Sequence, residues 1–180
     1  MKKALIRIGF VIISILILIG IWIWSLLGKV TATHEYLISK YYRFQAINNA
    51  GIIQYFQTDY NYLESIELFI ANIYPETEGK IAISLVDENG EIIFSKKYKA
   101  SSIPTGEFKE YKIREKLKEK ERYAIYISYI GEEDVELGFP QIMVSERTKN
   151  LLETQEAVVE EQVLDYNVAI TYHYAQRNLW

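Results

Sequence analysis

Tyr123-Ala124-Ile125-Tyr126-Ile127-Ser128-Tyr129 repeats with a period of two, so Tyr123, Ile125, Ile127 and Tyr129 share one face. Side chains of a strand point alternately to opposite faces, and such a run turns one face to a core and the other to water. β-branched and aromatic residues dominate it, as suits a pleated surface. The same period recurs in Ile81, Ile83 and Leu85, in Ile66, Leu68 and Ile70, and in Val168, Ile170, Tyr172 and Tyr174. Turn formers fall between the runs. Asp87-Glu88-Asn89-Gly90 reads as a hairpin loop, because Asn and Gly tolerate positive φ. Pro75 with Gly79, Pro104 with Gly106, and Gly131 mark further turns. The pattern predicts strands near 52–58, 62–73, 80–86, 91–98, 107–113, 122–130, 137–144 and 166–174. Short strands separated by turns indicate an all-β fold, an antiparallel sandwich or barrel. Residues 34–50 read as a short helix or an extra strand, and the acidic stretch 146–165 as a long connection or a short helix.

Upstream the composition changes. Residues 8–27, IGFVIISILILIGIWIWSLL, hold no charge. As a helix they would reach about 30 Å, the thickness of a hydrocarbon layer. Trp22 and Trp24 suit an interface, and Lys2, Lys3 and Arg7 precede the span, where long basic side chains snorkel to headgroups. The expectation is one transmembrane helix, N-terminus cytoplasmic, with the body outside. Val30-Thr31-Ala32 resembles a signal-peptidase site, but the apolar stretch has anchor length, which favours retention. Residues 9–14, GFVIIS, resemble a type IV prepilin cleavage site, except that Ser14 stands where pilins carry Glu. Four of the 20 basic residues lie within 1–30, and all 24 acidic residues follow residue 34, so the remaining 150 residues carry a formal charge of −8. There is no cysteine, hence no disulfide, thiolate site or cysteine nucleophile, which fits a Gram-positive surface. The expected organisation is a tail and anchor over 1–29, a juxtamembrane segment over 30–50, a β-sandwich over 51–176 and a tail over 177–180.

Several stretches carry a resemblance. They are Gln54-Tyr55-Phe56, Leu63 to Leu68, Gly79 to Gly90, Tyr123 to Ile127, and Asn167 to Tyr172. Over residues 51–174 the body resembles extracytoplasmic β-sandwich domains associated with bacterial membrane glycosyltransferases and other cell-envelope proteins, galactose-binding-like in outline. The resemblance rests on strand patterning and turn placement. It implies a jelly-roll-like fold and an envelope setting, and no catalytic residues.

Catalytic motifs are sparse. His34 and His173 are too far apart in sequence for a zinc motif. His173, between Tyr172 and Tyr174, points to the face opposite them, as a ligand contact or as an ordinary exposed strand residue. Glu132, Glu133, Asp134 and Glu136 cluster as a solvated loop, without a distinct carboxylate pair. Asp87-Glu88-Asn89-Gly90 resembles the start of an EF-hand loop but lacks the later glutamate. No metal site, nucleotide motif or cofactor is expected. Lys96, Lys97 and Lys99 form a small basic patch, and residues 109–122 alternate in sign. With the body at −8, nucleic acid is not an expected partner. All fifteen tyrosines lie in the body. Tyr123 and Tyr172 alternate into the core, whereas Tyr41, Tyr42, Tyr55, Tyr60, Tyr62, Tyr74 and Tyr126 are less obviously buried. Exposed tyrosines give amphipathic contact area at low entropic cost. The candidate ligand residues are therefore Tyr55, Tyr60, Tyr62, Tyr126 and His173. The leading expectation is a non-enzymatic envelope module, anchored in the bilayer, binding a surface glycan or a polytopic membrane partner in polysaccharide or wall assembly. A pilin-like or secretion-apparatus subunit and an enzyme acting on envelope polymers are the alternatives.

Overall fold

The computed structural model describes residues 2–27, 29–34, 42–134, 138–146 and 156–177. A helix, α1 (Lys2–Leu27), is followed by thirteen strands. These are β1 (Lys29–His34), β2 (Tyr42–Ala46), β3 (Ile52–Gln57), β4 (Tyr62–Ala71), β5 (Lys80–Val86), β6 (Ile92–Lys99) and β7 (Glu107–Lys116). The remainder are β8 (Arg122–Ile130), β9 (Gln141–Glu146), β10 (Glu156–Val159), β11 (Gln162–Val163), β12 (Tyr166–Val168) and β13 (Ile170–Arg177).

The strands form two antiparallel sheets. The first contains β1, β13, β4, β9 and β12 in order, with β7 also on β4 and β2 also on β9. The second runs β11-β10-β3-β8-β5-β6. In the first sheet β4 is flanked on both edges, so that Ser65 lies between His173 and Lys112. Beyond Leu68 the pair β4–β13 splays. β9 receives the end of β4, with Ile142 opposite Ile70, and pairs with β12, with Val144 opposite Val168, while β2 covers its other edge.

Alternation explains the core. Ile66, Leu68, Ile70, Ile170, Tyr172 and Tyr174 of the first sheet meet Phe56, Ile81, Ile83, Leu85, Ile125 and Ile127 of the second, all buried. Each such side chain contributes roughly 1.5–3 kcal/mol on removal from water. Phe56 joins the layers, its ring 4.8 Å from that of Tyr172 and 6.0 Å from that of Tyr123. Gln54 adds a polar tie across the core: it is buried, and its side-chain oxygen accepts the Val168 N–H at 2.7 Å.

The expected antiparallel β-sandwich is present, and Asp87-Glu88-Asn89-Gly90 closes the β5–β6 hairpin. Two strands arise in the segment read as juxtamembrane, since β1 pairs with β13 and β2 with β9. Within 146–165 the chain forms the β10–β11 hairpin rather than a helix; residues 147–155 lie outside the described residues, as do Tyr41 and Glu136. Among the described residues no helix is long and apolar enough to cross a membrane. Side chains on α1 are described from Phe10 to Trp22, about 20 Å of helix, and those of Lys2, Lys3, Arg7 and Trp24 lie outside them.

Candidate ligand-binding face

The outer face of the first sheet carries an aromatic row at one end. Phe69 of β4 and Phe108 of β7 are direct cross-strand partners, with ring centroids 5.3 Å apart and edge to face. Phe44 of β2 lies 5.9 Å from Phe69, and Tyr42 lies 6.0 Å from Phe44. Tyr42 is 54% exposed, Phe44 42% and Phe108 41%. Alternation puts Phe69 outward, because Leu68 and Ile70 on either side of it fill the core. Met143, the cross-strand partner of Phe44, is buried on the same side.

A polar row borders the aromatic one. Glu67 and Glu110 face each other across β4 and β7, and Ser65 faces Lys112 one step further on. Like charges directly opposite on a sheet repel. Two side chains stand beside this pair. The Ser65 hydroxyl donates to Glu110 Oε1 at 2.6 Å, and His173 Nε2 lies 3.4 Å from Glu67 Oε1. Ser65 itself is 0% exposed, so its hydroxyl fixes the Glu110 carboxylate from below.

Register places this face within the molecule. β1 starts at Lys29, two residues after α1 ends, and Lys29 is level with Arg177 of β13. Ile170, seven residues away along β13, is level with Leu68. Phe69 therefore lies about 25 Å along the sheet from the start of β1, at the end remote from the helix.

Of the residues singled out in the sequence, Tyr42 and His173 belong to this face. The candidate tyrosines do not gather there. Tyr62 is buried, with 6% exposure. Tyr60 is half-buried and stacks on Tyr174 at 5.3 Å. Tyr55 lies on the outer face of the second sheet under the Arg122 guanidinium, 4.1 Å from its ring centre. Tyr126 packs against Gly51 and donates its hydroxyl to the Ala50 carbonyl at 3.1 Å. Trp22 is exposed on α1. The residues missed were Phe44, Phe69, Phe108, Glu67 and Glu110. Their signal was present: Phe69 interrupts the polar side of an otherwise regular strand, and Phe108 repeats this beside Glu110.

Tyr111, Tyr172 and Tyr174 are core residues. Burial pushes the hydroxyls of Tyr111, Tyr172 and Tyr174 well above the ordinary tyrosine range. Among the described residues no group of three or more His, Asp or Glu side chains is placed to hold a metal ion.

No protein-family model and no curated protein matches the chain. Among solved structures it is similar to the clostridial cysteine protease Cwp84 after propeptide cleavage, with TM-score 0.55 and 8% identity over 82% of this chain and 40% of that one. It is also similar to the structure of the cysteine protease and lectin-like domains of Cwp84, a surface layer associated protein of Clostridium difficile. There the TM-score is 0.52 and the identity 10%, over 84% of this chain and 36% of that one. The likeness is one of fold. The chain spans less than half the length of either structure.

Proposed function

We propose that this chain is a membrane-anchored cell-envelope module whose sandwich, jelly-roll-like in outline, binds a surface glycan without transforming it. The observation that carries this reading is the row Tyr42-Phe44-Phe69-Phe108 on one sheet face, in which Tyr42, Phe44 and Phe108 are exposed and Phe69 is half-buried between them. Apolar faces of sugar rings pack on such aromatic surfaces, and carboxylates in the adjoining row accept hydroxyl hydrogen bonds. Contiguous exposed apolar patches on soluble domains mark interaction sites. The similar fold in a structure described as containing lectin-like domains of a surface protein supports the same reading.

The anchor rests on α1. Its described side chains from Phe10 to Trp22 are exposed apolar ones apart from Ser14 and Gly20, and the uncharged stretch 8–27 has bilayer length. With the N-terminus inside, the aromatic row stands at the end of the sheet remote from the membrane.

Two experiments test the reading. Titration calorimetry of the full chain in detergent with envelope polysaccharide fragments is expected to show binding. Phe69→Ala and Phe44→Ala should weaken it at least about tenfold, or about 1.4 kcal/mol, with the melting temperature nearly unchanged. Binding that ignores both substitutions would remove the face from the proposal. Alkaline carbonate should leave the full chain in the membrane pellet, and its release into the supernatant would overturn the anchor.

A further inference from the structure

We infer that the face selects glycans carrying free amino groups, a reading that rests on the glycan assignment above and narrows it. The exposed Phe108 ring, with half-buried Phe69 edge to face against it, forms the aromatic contact, and Glu67 and Glu110 are opposed to each other immediately beside it. A sugar stacked on the two rings brings its substituents over the two carboxylates. A ring hydroxyl satisfies one acceptor but leaves the repulsion between the carboxylates in place. An ammonium group on the sugar offers three donors and a positive charge to both carboxylates at once. It also sits favourably against the faces of the rings.

The arrangement is set before a ligand arrives. The buried Ser65 hydroxyl orients Glu110, and His173 Nε2 stands 3.4 Å from Glu67 Oε1. Lys112 stands opposite Ser65, one step away from the opposed carboxylates. No ion pair joins Lys112 to Glu110 among the described residues. The formal charge of −8 on the 150 residues after residue 30 attracts a polycationic ligand at long range. An N-acetylated sugar presents a neutral amide at the same position and gains neither effect.

The test compares two probes that differ only in acetylation: a glucosamine hexasaccharide and its fully N-acetylated counterpart, titrated into the full chain in detergent at mildly acid pH. The free amine form is expected to bind about tenfold more tightly, in line with the strength of charge-assisted contacts. Glu67→Gln/Glu110→Gln, which keeps an acceptor for Ser65, should bring its affinity down to that of the acetylated form. Phe69→Ala should weaken both. Equal binding of the two probes to the wild-type chain would overturn the amine preference while leaving glycan binding intact. A preference that persists in the double Gln variant would also overturn it, as attraction by the whole acidic body. Failure of both probes and of neutral envelope glycans would sink the glycan reading itself. Self-association lost in Phe69→Ala, without glycan binding, would instead assign the face to a second copy of the chain.

Discussion

Tyr129 sits between two glycines that are defined by its ring. A Cβ on Gly79 would lie 2.7 Å from the Ile130 carbonyl oxygen and 2.8 Å from the Tyr129 hydroxyl, and φ there is +95°. A Cβ on Gly131 would lie 2.6 Å from that hydroxyl. The hydroxyl donates to the Glu78 carbonyl, so the ring cannot swing away without losing that bond. Gly79→Ala is expected to cost about 3 kcal/mol or more, read as a fall in the denaturation midpoint, from left-handed strain and overpacking together. At Gly90 φ is +83° but nothing lies within 4 Å, so Gly90→Ala should cost only about 1 kcal/mol. Equal losses at the two sites would refute the steric argument. In the same hairpin loop the Glu91 N–H, and more weakly Asn89, hold the Asp87 carboxyl below its ordinary 3.8. A depressed folded-state value means that the loop's contribution is present above the unfolded value and lost as pH falls through the folded one. An NMR titration should give Asp87 a midpoint below 3.8, and a midpoint at or above it would contradict the hydrogen bonding. The sign reverses for the buried tyrosines. Tyr111, Tyr172 and Tyr174 have folded-state values raised above 10, chiefly by burial. Their contribution is complete below the unfolded value and erodes as pH rises beyond it. An ultraviolet titration should therefore show these phenols ionising only as the sandwich unfolds in alkali. Titration of all fifteen in one step near 10, with the fold intact, would be incompatible with their burial.

Among the elements, the β10–β11 hairpin shows best where sequence reading ends. Its two central residues, Glu160 and Glu161, both have positive φ, at 47° and 66°. Two-residue hairpin turns of this kind favour Asn-Gly, so a pair of glutamates carries no turn signal and the stretch reads as a polar connection. The conformation is imposed by pairing: β10 lies against β3, with Ala157 opposite Gln54. Glu161→Gly should relieve the strain and raise stability by about 1 kcal/mol in chemical denaturation, whereas a loss of stability would show that the left-handed turn is unstrained. The strands seen in advance, such as 80–86 and 122–130, were those whose alternation is unbroken and whose ends carry Gly, Pro or Asn. β4 carries a register shift between Leu63 and Ser65 in its pairings with both β13 and β7, and its pattern was legible only beyond that shift. This is why Tyr62 looked available while its ring is buried. The candidate face was less legible still. Phe69 and Phe108 are neighbours only because β4 and β7 pair, and β7 returns to the first sheet after the β5–β6 hairpin has been laid in the second.

At the level of the whole molecule, two ties hold the sheets in register across an otherwise apolar core. Gln54 reaches from β3 to the Val168 N–H of β12, and Tyr98 of β6 meets Tyr111 of β7 edge to face at 4.9 Å where the sandwich closes. Gln54→Ala would leave the Val168 N–H without its acceptor inside the core and should cost about 2–3 kcal/mol, measured as a lower denaturation midpoint. A neutral result would mean that water replaces the amide. The junction with α1 has a mechanical consequence. β1 leaves the helix at Lys29 and lies antiparallel on β13 for six residue pairs, up to His34 opposite Tyr172. If the remote face is held by a polymer while α1 is held by a bilayer, tension runs along the length of β1. All six pairs then bear the load together and must slide at once, whereas a peeling force would part them one after another. The strand that joins tether to sandwich is thus loaded in shear, the direction in which a ladder of hydrogen bonds is hardest to rupture.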